Sequence, residues 1–203
     1  MLTDALILPE GDFQAWLFDL DGTLADSMPQ HFISWTHAVE NHGGKFPEKL
    51  FYEWGGVTPL AIVRRLNEKF GFSMDPETVV HQKESLYLEQ IHNVKPIESV
   101  LNLLEANHGR IPFAVVTGSP RLNATRALAA LNLTDRFQTV VAAEDYTHGK
   151  PNPEPFLTAA NRLGIPPSSC LVFEDADPGI AAASAAGMQW VRVPVNLPEN
   201  IAN

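Results

Sequence analysis

Short apolar runs bounded by polar residues occur once near the start of the chain and four times after residue 110. The first, at 14–18, ends directly in the sequence Asp-Leu-Asp-Gly-Thr at 19–23, as a buried strand does when it reaches a polar loop. The later runs lie at 111–116, 137–143, 170–173 and 190–195. The pattern predicts five strands that are buried on both faces.

Helical segments with recognisable ends separate the later strands. A residue suited to capping precedes a proline suited to the first turn at Ser119-Pro120, Asn152-Pro153 and Asp177-Pro178. Glycines suited to the end of a helix follow at Gly109, Gly164 and Gly187. Strands that alternate with helices predict an α/β fold, in which a parallel Rossmann-like sheet is flanked by helices on both faces.

The stretch 28–95 departs from this alternation. It shows helical patterns at 29–42, 59–70 and 76–91, the last two opened by Thr58-Pro59 and Asp75-Pro76, and it has no convincing strand. We therefore expect a core domain from 1–27 and 96–203, interrupted by an all-helical cap domain at 28–95. Ligands of open α/β sheets bind at the carboxyl ends of the strands, so an insertion that leaves from this edge is placed to act as a lid.

Composition narrows the class of protein. The chain has 203 residues, of which 45% are hydrophobic and 19% charged, as in an ordinary globular protein. It has no apolar run near the roughly 20 residues that span a bilayer, and its net charge of −10 argues against a nucleic-acid surface. The lone cysteine, Cys170, excludes an internal disulfide and suits a reducing compartment. We expect a cytoplasmic monomer without a nucleic-acid or membrane partner.

Pairs of carboxylates follow two of the predicted strands. Asp19 and Asp21 follow the first, and Glu174-Asp175 follows the run at 170–173. Such pairs suit a hard cation, or a nucleophile with an acid/base partner. The alternatives are a plain turn for the first pair and a helix-capping cluster for the second.

A hydroxyl-bearing loop and a lysine follow two other strands. Thr117-Gly118-Ser119 leads into a helix, whose N-terminal N–H groups attract anions, although an ordinary strand-to-helix turn has the same sequence. Lys150 lies in a loop with two prolines, where it can neutralise a phosphate or simply be solvated. Taken together, the four sites supply what phosphoryl transfer requires: a cation site, charge stabilisation and a nucleophile.

At these positions the chain resembles the haloacid dehalogenase superfamily. The segment 19–27 resembles its nucleophile motif, and Thr117, Lys150 and Glu174-Asp175 match its second, third and fourth motifs in order. The resemblance extends over nearly the whole chain, and the helical insertion is similar to the cap of the beta-phosphoglucomutase-like branch. It implies a Mg²⁺-dependent phosphatase that acts on a small phosphorylated metabolite, such as the sugar phosphate fructose 1-phosphate.

The resemblance also implies a role for each motif residue. Asp19 is the nucleophile that becomes an aspartyl-phosphate, and Asp21 is the general acid and base. Mg²⁺ is held by Asp19, the carbonyl of Asp21 and Asp175, with Glu174 beside them. The substrate's phosphoryl oxygens are held by the side chains of Thr117 and Lys150 and by the N–H groups of Gly118 and Ser119. His31 of the cap matches a substrate-binding position near the mouth of the site, although a packed or exposed histidine is the alternative.

Other activities remain open. A beta-phosphoglucomutase shares the motifs, but it usually carries Lys-Gly-Val-Ser-Arg in the cap, where this chain has Gly-Gly-Val-Thr-Pro at 55–59. Arg64 or Arg65 is placed to compensate for the missing charges. A dehalogenase needs no Asp21, and an inactive binding module would lack one of the catalytic residues, none of which is missing. The sequence favours hydrolysis, and we expect Met28, Trp35, Phe51 and Trp54 to pack the cap and Cys170 to lie in the core.

Overall fold

The computed structural model describes residues 6–55 and 57–194. Its seven strands are β1 (Ala15–Phe18), β2 (Ala25–Asp26), β3 (Lys95–Pro96), β4 (Phe113–Val116), β5 (Thr139–Val141), β6 (Cys170–Glu174) and β7 (Gln189–Arg192). Five of them form a parallel sheet in the order β5-β4-β1-β6-β7. The predicted fold class is confirmed. Val195, at the end of the last predicted strand, and Gly56 lie outside the described residues.

Eight α-helices complete the described chain. They are α1 (Met28–Asn41), α2 (Glu48–Glu53), α3 (Pro59–Phe70), α4 (Pro76–Gln90), α5 (Glu98–Asn107), α6 (Arg121–Ala130), α7 (Glu154–Leu163) and α8 (Asp177–Ala185). Within the described ranges, no helix combines the length and the apolar character that a membrane crossing requires.

Alternation along the strands divides the core into two layers. On one face of β1, Trp16 and Phe18 pack with apolar side chains of α5 and α6. On the other face, Ala15 and Leu17 pack with small and aromatic side chains of α7 and α8. Because successive side chains of a strand point to opposite faces, one buried strand supplies both layers. The sheet is therefore packed against helices on both faces, and this packing holds the residues at its carboxyl-terminal edge in place.

The four helices α1 to α4 pack around an apolar cluster of their own. Its buried members include Trp35, Phe46, Phe51, Val63 and Leu66. The helix α2 was not predicted, because its six residues are too few to show a helical period and no capping residue opens it. The helices of this insertion therefore pack mainly around their own cluster, while Tyr87 of α4 belongs to the cluster of the core.

A two-stranded ribbon joins the insertion to the core. The strands β2 and β3 are antiparallel, with Ala25 opposite Pro96 and Asp26 opposite Lys95. The N–H of Ile97 also donates to the carbonyl of Leu24 at 3.0 Å. This ribbon was not predicted, because strands of two residues are too short for a hydrophobic pattern. The two chain segments that connect the core to the insertion are thus held side by side.

Several helix starts differ from the predicted ones. The helix α6 begins at Arg121, with Pro120 rather than Ser119 at its N-cap, and the Ser119 side chain makes no capping bond. The helix α7 begins at Glu154 with Pro153 at its N-cap, one residue later than predicted, although the side-chain oxygen of Asn152 accepts the N–H of Glu154 at 2.9 Å. The side chain of Asp75 accepts from the N–H of Thr78 as predicted. The hydroxyl of Ser119 therefore does not cap the helix, and it donates to Asp21 instead.

The aromatic layer of the core makes a testable contribution to stability. Phe113 is fully buried and stacks on Trp16 with ring centroids 5.7 Å apart. Removing a buried aromatic ring leaves a cavity, so we expect Phe113→Ala to lower the free energy of unfolding by about 3–5 kcal/mol. Urea unfolding measures the change. As a control, Leu122→Ala removes a side chain that is 57% exposed, and its effect should stay within about 0.5 kcal/mol.

Candidate active site

The candidate site lies where three neighbouring strands reach the carboxyl-terminal edge of the sheet. Asp19 directly follows β1, Thr117 directly follows β4, and Glu174 is the last residue of β6. In the sheet, β4 and β6 both pair with β1. The strand order therefore brings together side chains that are about 100 and 150 positions apart in the sequence.

Lys150 ties these strand ends together. Its ammonium group donates to Asp19 Oδ1 at 2.6 Å, to Glu174 Oε2 at 2.7 Å and to the carbonyl of Val116 at 3.1 Å. The ammonium also lies 5.0 Å from the ring centroid of Phe156. Burial alone would lower the pKa of Lys150, but the two carboxylates raise it above its usual value. Lys150 is therefore a permanently charged, buried cation at the centre of the site.

Three carboxylates form a cluster around this cation. Asp19, Glu174 and Asp175 each offer an oxygen, and these oxygens lie within 4.8 Å of one another. Thr23 donates to Asp175 Oδ1 at 3.0 Å, which fixes the rotamer of that side chain. One oxygen of Asp19 and one of Asp175 take no part in these contacts. An all-oxygen donor set with free carboxylate oxygens fits Mg²⁺, which prefers a few carboxylates together with water and substrate.

Two glycines leave room for the cluster. Gly22 has φ +92°, and a Cβ atom there would lie 2.5 Å from Asp175 Oδ2. At Gly179 in α8, a Cβ atom would lie 2.1 Å from the carboxyl carbon of Glu174. Both positions therefore exclude larger residues, since the carboxylates occupy that volume.

Burial and mutual repulsion raise the pKa values of the carboxyl groups in the cluster. Burial, together with the charge of Glu174, raises the pKa of Asp19 to about 8, against the opposing effect of Lys150. Burial and the charge of Asp19 raise the pKa of Asp175 to about 7. Burial likewise raises the pKa of Glu174. A divalent cation would relieve this repulsion, because it favours the ionised form of every carboxylate near it.

Asp21 is oriented differently from the other carboxylates. Its Oδ1 accepts the hydroxyl of Ser27 at 2.7 Å and lies 3.1 Å from His31 Nε2, while its Oδ2 accepts the hydroxyl of Ser119 at 2.7 Å. Burial alone would raise the pKa of Asp21, but His31 and the two hydroxyl groups hold it well below its usual range. The side chain of Asp21 therefore lies outside the three-carboxylate cluster. The metal contact expected of this residue, through its main-chain carbonyl, stays a prediction.

His31 belongs to the cap but contacts the core. It is buried, and its ring stacks on Tyr87 with centroids 4.0 Å apart. Burial and the nearby charge of Lys83 lower the pKa of His31, and its Nε2–H donates to Asp21. His31 lines the cavity, but its polar contact in this structure is with Asp21.

The loop of Thr117, Gly118 and Ser119 is held from two sides. The N–H of Ser119 donates to Thr117 Oγ1 at 3.0 Å, and the hydroxyl of Tyr146 donates to the carbonyl of Thr117 at 3.0 Å. All three loop residues line the cavity. The expected loop therefore lies beside Asp19, but the helix behind it starts two residues after Ser119 rather than immediately.

The cavity above the strand ends has a volume of about 470 Å³. Its floor is polar and consists of the core residues described above. Its roof is formed by cap residues that are largely apolar, namely Met28, Trp35, Phe51, Trp54, Val57 and Ile62. The four large side chains expected to pack the cap therefore also form a wall of the cavity. A polar floor and an apolar roof suit a ligand with one strongly charged end.

Sequence reasoning did not assign roles to several of these residues. Thr23 and Ser27 lie within the 19–27 motif, and this position was the signal that could have identified them. Each is buried, and its hydroxyl group donates to a carboxylate. Tyr146 gave no signal, because its contact with Thr117 spans 29 positions. These residues orient the groups that the sequence did identify.

Comparisons with known proteins found matches that extend over most of the chain. A family model described as "Haloacid dehalogenase-like hydrolase" matches residues 16–193. The chain is 37% identical, over 87% of its length and 94% of the relative, to "Fructose-1-phosphate phosphatase YqaB" of Escherichia coli (strain K12). It is 28% identical, over 88% of its length and 83% of the relative, to "Phosphorylated carbohydrates phosphatase" of Thermotoga maritima. A crystal structure of beta-phosphoglucomutase from Clostridium difficile matches at TM-score 0.74 and 28% identity, covering 88% of this chain and 83% of that one.

The carboxylate cluster predicts that magnesium stabilises the folded protein. A ligand at about a hundred times its Kd adds about 2.7 kcal/mol, and for a chain of this size each kcal/mol raises Tm by about 2–4 °C. We therefore expect Mg²⁺ to raise Tm by roughly 5–10 °C in differential scanning fluorimetry. Asp175→Asn should lose most of this increase. Asp135→Asn, an exposed residue before β5 at the opposite edge of the sheet, should keep it; equal increases in the two variants would contradict the metal site.

The magnesium effect should also depend on pH. Without metal, carboxyl groups with pKa values of about 8 (Asp19) and about 7 (Asp175) are partly protonated near neutrality. Their pKa values in the folded state exceed the unfolded value of 3.8, so the folded state loses stability as the pH rises from the unfolded value to the folded values of about 7 to 8. Mg²⁺ must displace these protons, so its affinity and its effect on Tm should grow between about pH 6 and pH 8. An effect that shrinks over this range would contradict the assignment.

Proposed function

The chain belongs to the haloacid dehalogenase-like hydrolase family, and we propose that it is a magnesium-dependent phosphatase of a small sugar phosphate such as fructose 1-phosphate. It is a phosphoric monoester hydrolase, as its phosphatase relatives indicate. The observation that carries the proposal is the position of Asp19. Its carboxylate lies at the floor of the cavity, bound by Lys150 and clustered with Glu174 and Asp175.

Asp19 is the nucleophile in this proposal. One of its carboxylate oxygens forms a bond to phosphorus as the ester P–O bond of the substrate breaks, which leaves an aspartyl-phosphate and an alcohol. Lys150 opposes the protonation of Asp19 and holds its carboxylate in place through the bond to Oδ1. When bound, Mg²⁺ supplies positive charge next to the phosphoryl oxygens and the nucleophile, and Asp19, Glu174 and Asp175, with the Asp21 carbonyl, would hold it.

Asp21 is the general acid and the general base in this proposal. It gives a proton to the leaving alcohol oxygen in the first step and takes one from water in the second, in which that water attacks phosphorus and the bond to Asp19 breaks. In the geometry described, Asp21 is a carboxylate that accepts bonds from Ser27, His31 and Ser119, so in this proposal it must take up a proton before it can act as the acid of the first step. Of these donors, His31 lines the cavity from the insertion and Ser119 lines it from the core, so they hold Asp21 at the boundary between the two.

The remaining core residues bind the phosphoryl group. Lys150 supplies a full positive charge, and Thr117 supplies a hydroxyl beside Asp19. The N–H of Gly118 adds a neutral donor, while that of Ser119 is shared with Thr117 Oγ1. Donors fixed by the fold stabilise the charge on the equatorial oxygens without further rearrangement, which is the main requirement of phosphoryl transfer.

The insertion at 28–95 acts as a cap domain that closes over the substrate. It packs around its own apolar cluster and joins the core through the ribbon of β2 and β3. An enclosed cavity excludes bulk water from the reacting phosphoryl group. The apolar roof suits the carbon skeleton of a sugar, whose ring faces pack on aromatic side chains such as Trp54. The net charge of −10 and the single cysteine fit a monomer that works in the cytoplasm.

The alternative function is that of a beta-phosphoglucomutase, which the similarity to the Clostridium difficile structure supports. A mutase must hold a bisphosphate and therefore needs cations at both ends of its cavity. The described residues of the cap loop, Gly55, Val57, Thr58 and Pro59, carry no charge and line the cavity. Arg65 of α3 is exposed and places its guanidinium group 5.8 Å from the ring centroid of Trp54. This arrangement favours hydrolysis.

Replacing the nucleophile tests the proposal directly. We expect Asp19→Asn to reduce kcat by more than tenfold, because an amide cannot form the aspartyl-phosphate. Phosphate release with Mg²⁺ from fructose 1-phosphate, 6-phosphogluconate and beta-glucose 1-phosphate measures the effect. Asp12→Asn is the matched control, since Asp12 is exposed and precedes β1 at the other edge of the sheet.

Three outcomes are informative. Magnesium-dependent release that is lost in Asp19→Asn and kept in Asp12→Asn supports the phosphatase and ranks its substrates. Conversion of beta-glucose 1-phosphate to glucose 6-phosphate without net release identifies a mutase instead. Retention of a tenth or more of wild-type kcat in Asp19→Asn would exclude this residue as the nucleophile.

A further inference from the structure

The loop between β6 and α8 carries two of the three clustered carboxylates. Glu174 ends β6, Asp175 and Ala176 follow, and α8 begins at Asp177. In the sheet, β6 lies between β1 and β7. Residues at the ends of these two neighbouring strands can therefore bind the loop from opposite sides.

Each main-chain carbonyl of this loop accepts a hydrogen bond. That of Glu174 accepts the N–H of Val193 at 2.9 Å, and that of Ala176 accepts N–H groups in the first turn of α8. The carbonyl of Asp175 accepts a side-chain donor instead, the guanidinium group of Arg192 at 2.9 Å. The main chain of Asp175 is therefore held by a side chain of β7.

Arg192 makes a second contact with the same loop. Its Nη1 donates to the carbonyl of Asp175, while its Nη2 donates to Asp177 Oδ1 at 2.5 Å. A guanidinium group presents its donors in a fixed plane, which an ammonium group does not. The ion pair itself adds little to stability, since the side chain of Asp177 is 89% exposed. The main effect of Arg192 is therefore on the geometry of the loop.

The side chain of Asp175 is fixed from the other neighbouring strand. Thr23, which follows β1, donates to Asp175 Oδ1 at 3.0 Å. The Oδ2 atom faces the space that a Cβ atom of Gly22 would fill. Asp175 is thus held at its carboxylate by the segment after β1 and at its main chain by β7. Mg²⁺ demands near-ideal octahedral geometry, whereas Ca²⁺ accepts more flexible arrangements, so a ligand fixed at both ends favours Mg²⁺.

We propose that Arg192 is a positioning residue of the metal site, which holds Asp175 in a geometry that favours Mg²⁺ over Ca²⁺. The proposal rests on the magnesium-dependent function given above, and it adds a residue that neither offers an oxygen to the cluster nor lines the cavity. Replacing a partner that orients a metal ligand typically weakens metal binding about 10–100-fold. The side chain of Arg192 is half exposed, so we expect the lower end of that range.

The charge of Arg192 alone would have the opposite effect on metal binding. A cation near the cluster repels Mg²⁺, so its removal without a change of geometry should lower the Kd for Mg²⁺. Removal of a group that positions a ligand should raise this Kd. The sign of the change therefore distinguishes positioning from electrostatic repulsion.

Titration calorimetry of the metal-free protein with Mg²⁺ and with Ca²⁺ tests the proposal. In Arg192→Ala we expect the Kd for Mg²⁺ to rise about tenfold and that for Ca²⁺ about twofold, so that the preference for Mg²⁺ falls about fivefold. Arg192→Lys keeps the charge but lacks the planar donors, and both its Kd values should lie between those of the wild type and Arg192→Ala. It also provides the test if Arg192→Ala does not fold.

Arg126→Ala is the matched control. It removes another exposed arginine, which belongs to α6 and does not line the cavity. Its Kd values for both ions should equal those of the wild type. The Tm of each variant in EDTA gives the stability of the metal-free fold, independently of metal binding.

The expected result is a selective loss of Mg²⁺ affinity in the variants of Arg192, with Arg126→Ala unchanged. An unchanged or lower Kd for Mg²⁺ would overturn the proposal. A lower Tm in EDTA with unchanged Kd values would overturn it too, because the arginine would then only stabilise the fold. An equal rise in both Kd values would also overturn it, since the geometry of the loop would then not discriminate between the ions.

These measurements need no enzymatic activity, so they separate this inference from the function on which it rests. A wild-type protein that binds Mg²⁺ but releases no phosphate from any substrate would overturn the phosphatase proposal and leave the role of Arg192 to the calorimetric result. A wild-type protein that does not bind Mg²⁺ would overturn the metal site, and the role of Arg192 with it.

Discussion

The buried ammonium group of Lys150 is the contact on which the arrangement of the site depends. It joins Asp19 after β1, Glu174 at the end of β6 and the main chain at the end of β4. Without a cation, the carboxylates gathered at this edge would repel each other in a region that excludes water. The lysine reaches them from a loop that is distant in sequence. One positive charge therefore fixes the relative positions of three strand ends and leaves carboxylate oxygens for a metal.

The site is formed by two parts of the chain: the core sheet, and the helical insertion that the ribbon of β2 and β3 joins to it. The core contributes the charged groups, which are held by a sheet buried on both faces. The helical insertion contributes the largely apolar roof together with the polar side chains of Thr58 and His31, of which His31 reaches Asp21. Charge and hydrophobic surface are thus supplied by different parts of the chain. This division allows the roof to vary with the substrate while the reacting groups stay the same.

Much of this could be predicted from the sequence, because the relevant signals are local. The strand before Asp19 is an unbroken apolar run, and the prolines at 59 and 76 mark the starts of two helices. The ribbon of β2 and β3 could not be predicted, since two residues carry no periodic pattern. The contact of Ser119 with Asp21 spans 98 positions, and local reasoning assigned the serine to a helix cap instead. Contacts of this kind depend on the strand order, which no local pattern contains.

The distribution of tryptophans makes parts of the molecule optically distinguishable. Trp16 is buried among phenylalanines of the sheet, whereas Trp35 and Trp54 border the cavity and Trp190 is 40% exposed. Indole emission responds to the polarity and the contacts around each ring. A ligand that enters the cavity changes the surroundings of two rings and leaves Trp16 untouched until the sheet itself opens. Intrinsic fluorescence can therefore report occupancy and unfolding as separate events, without any added label.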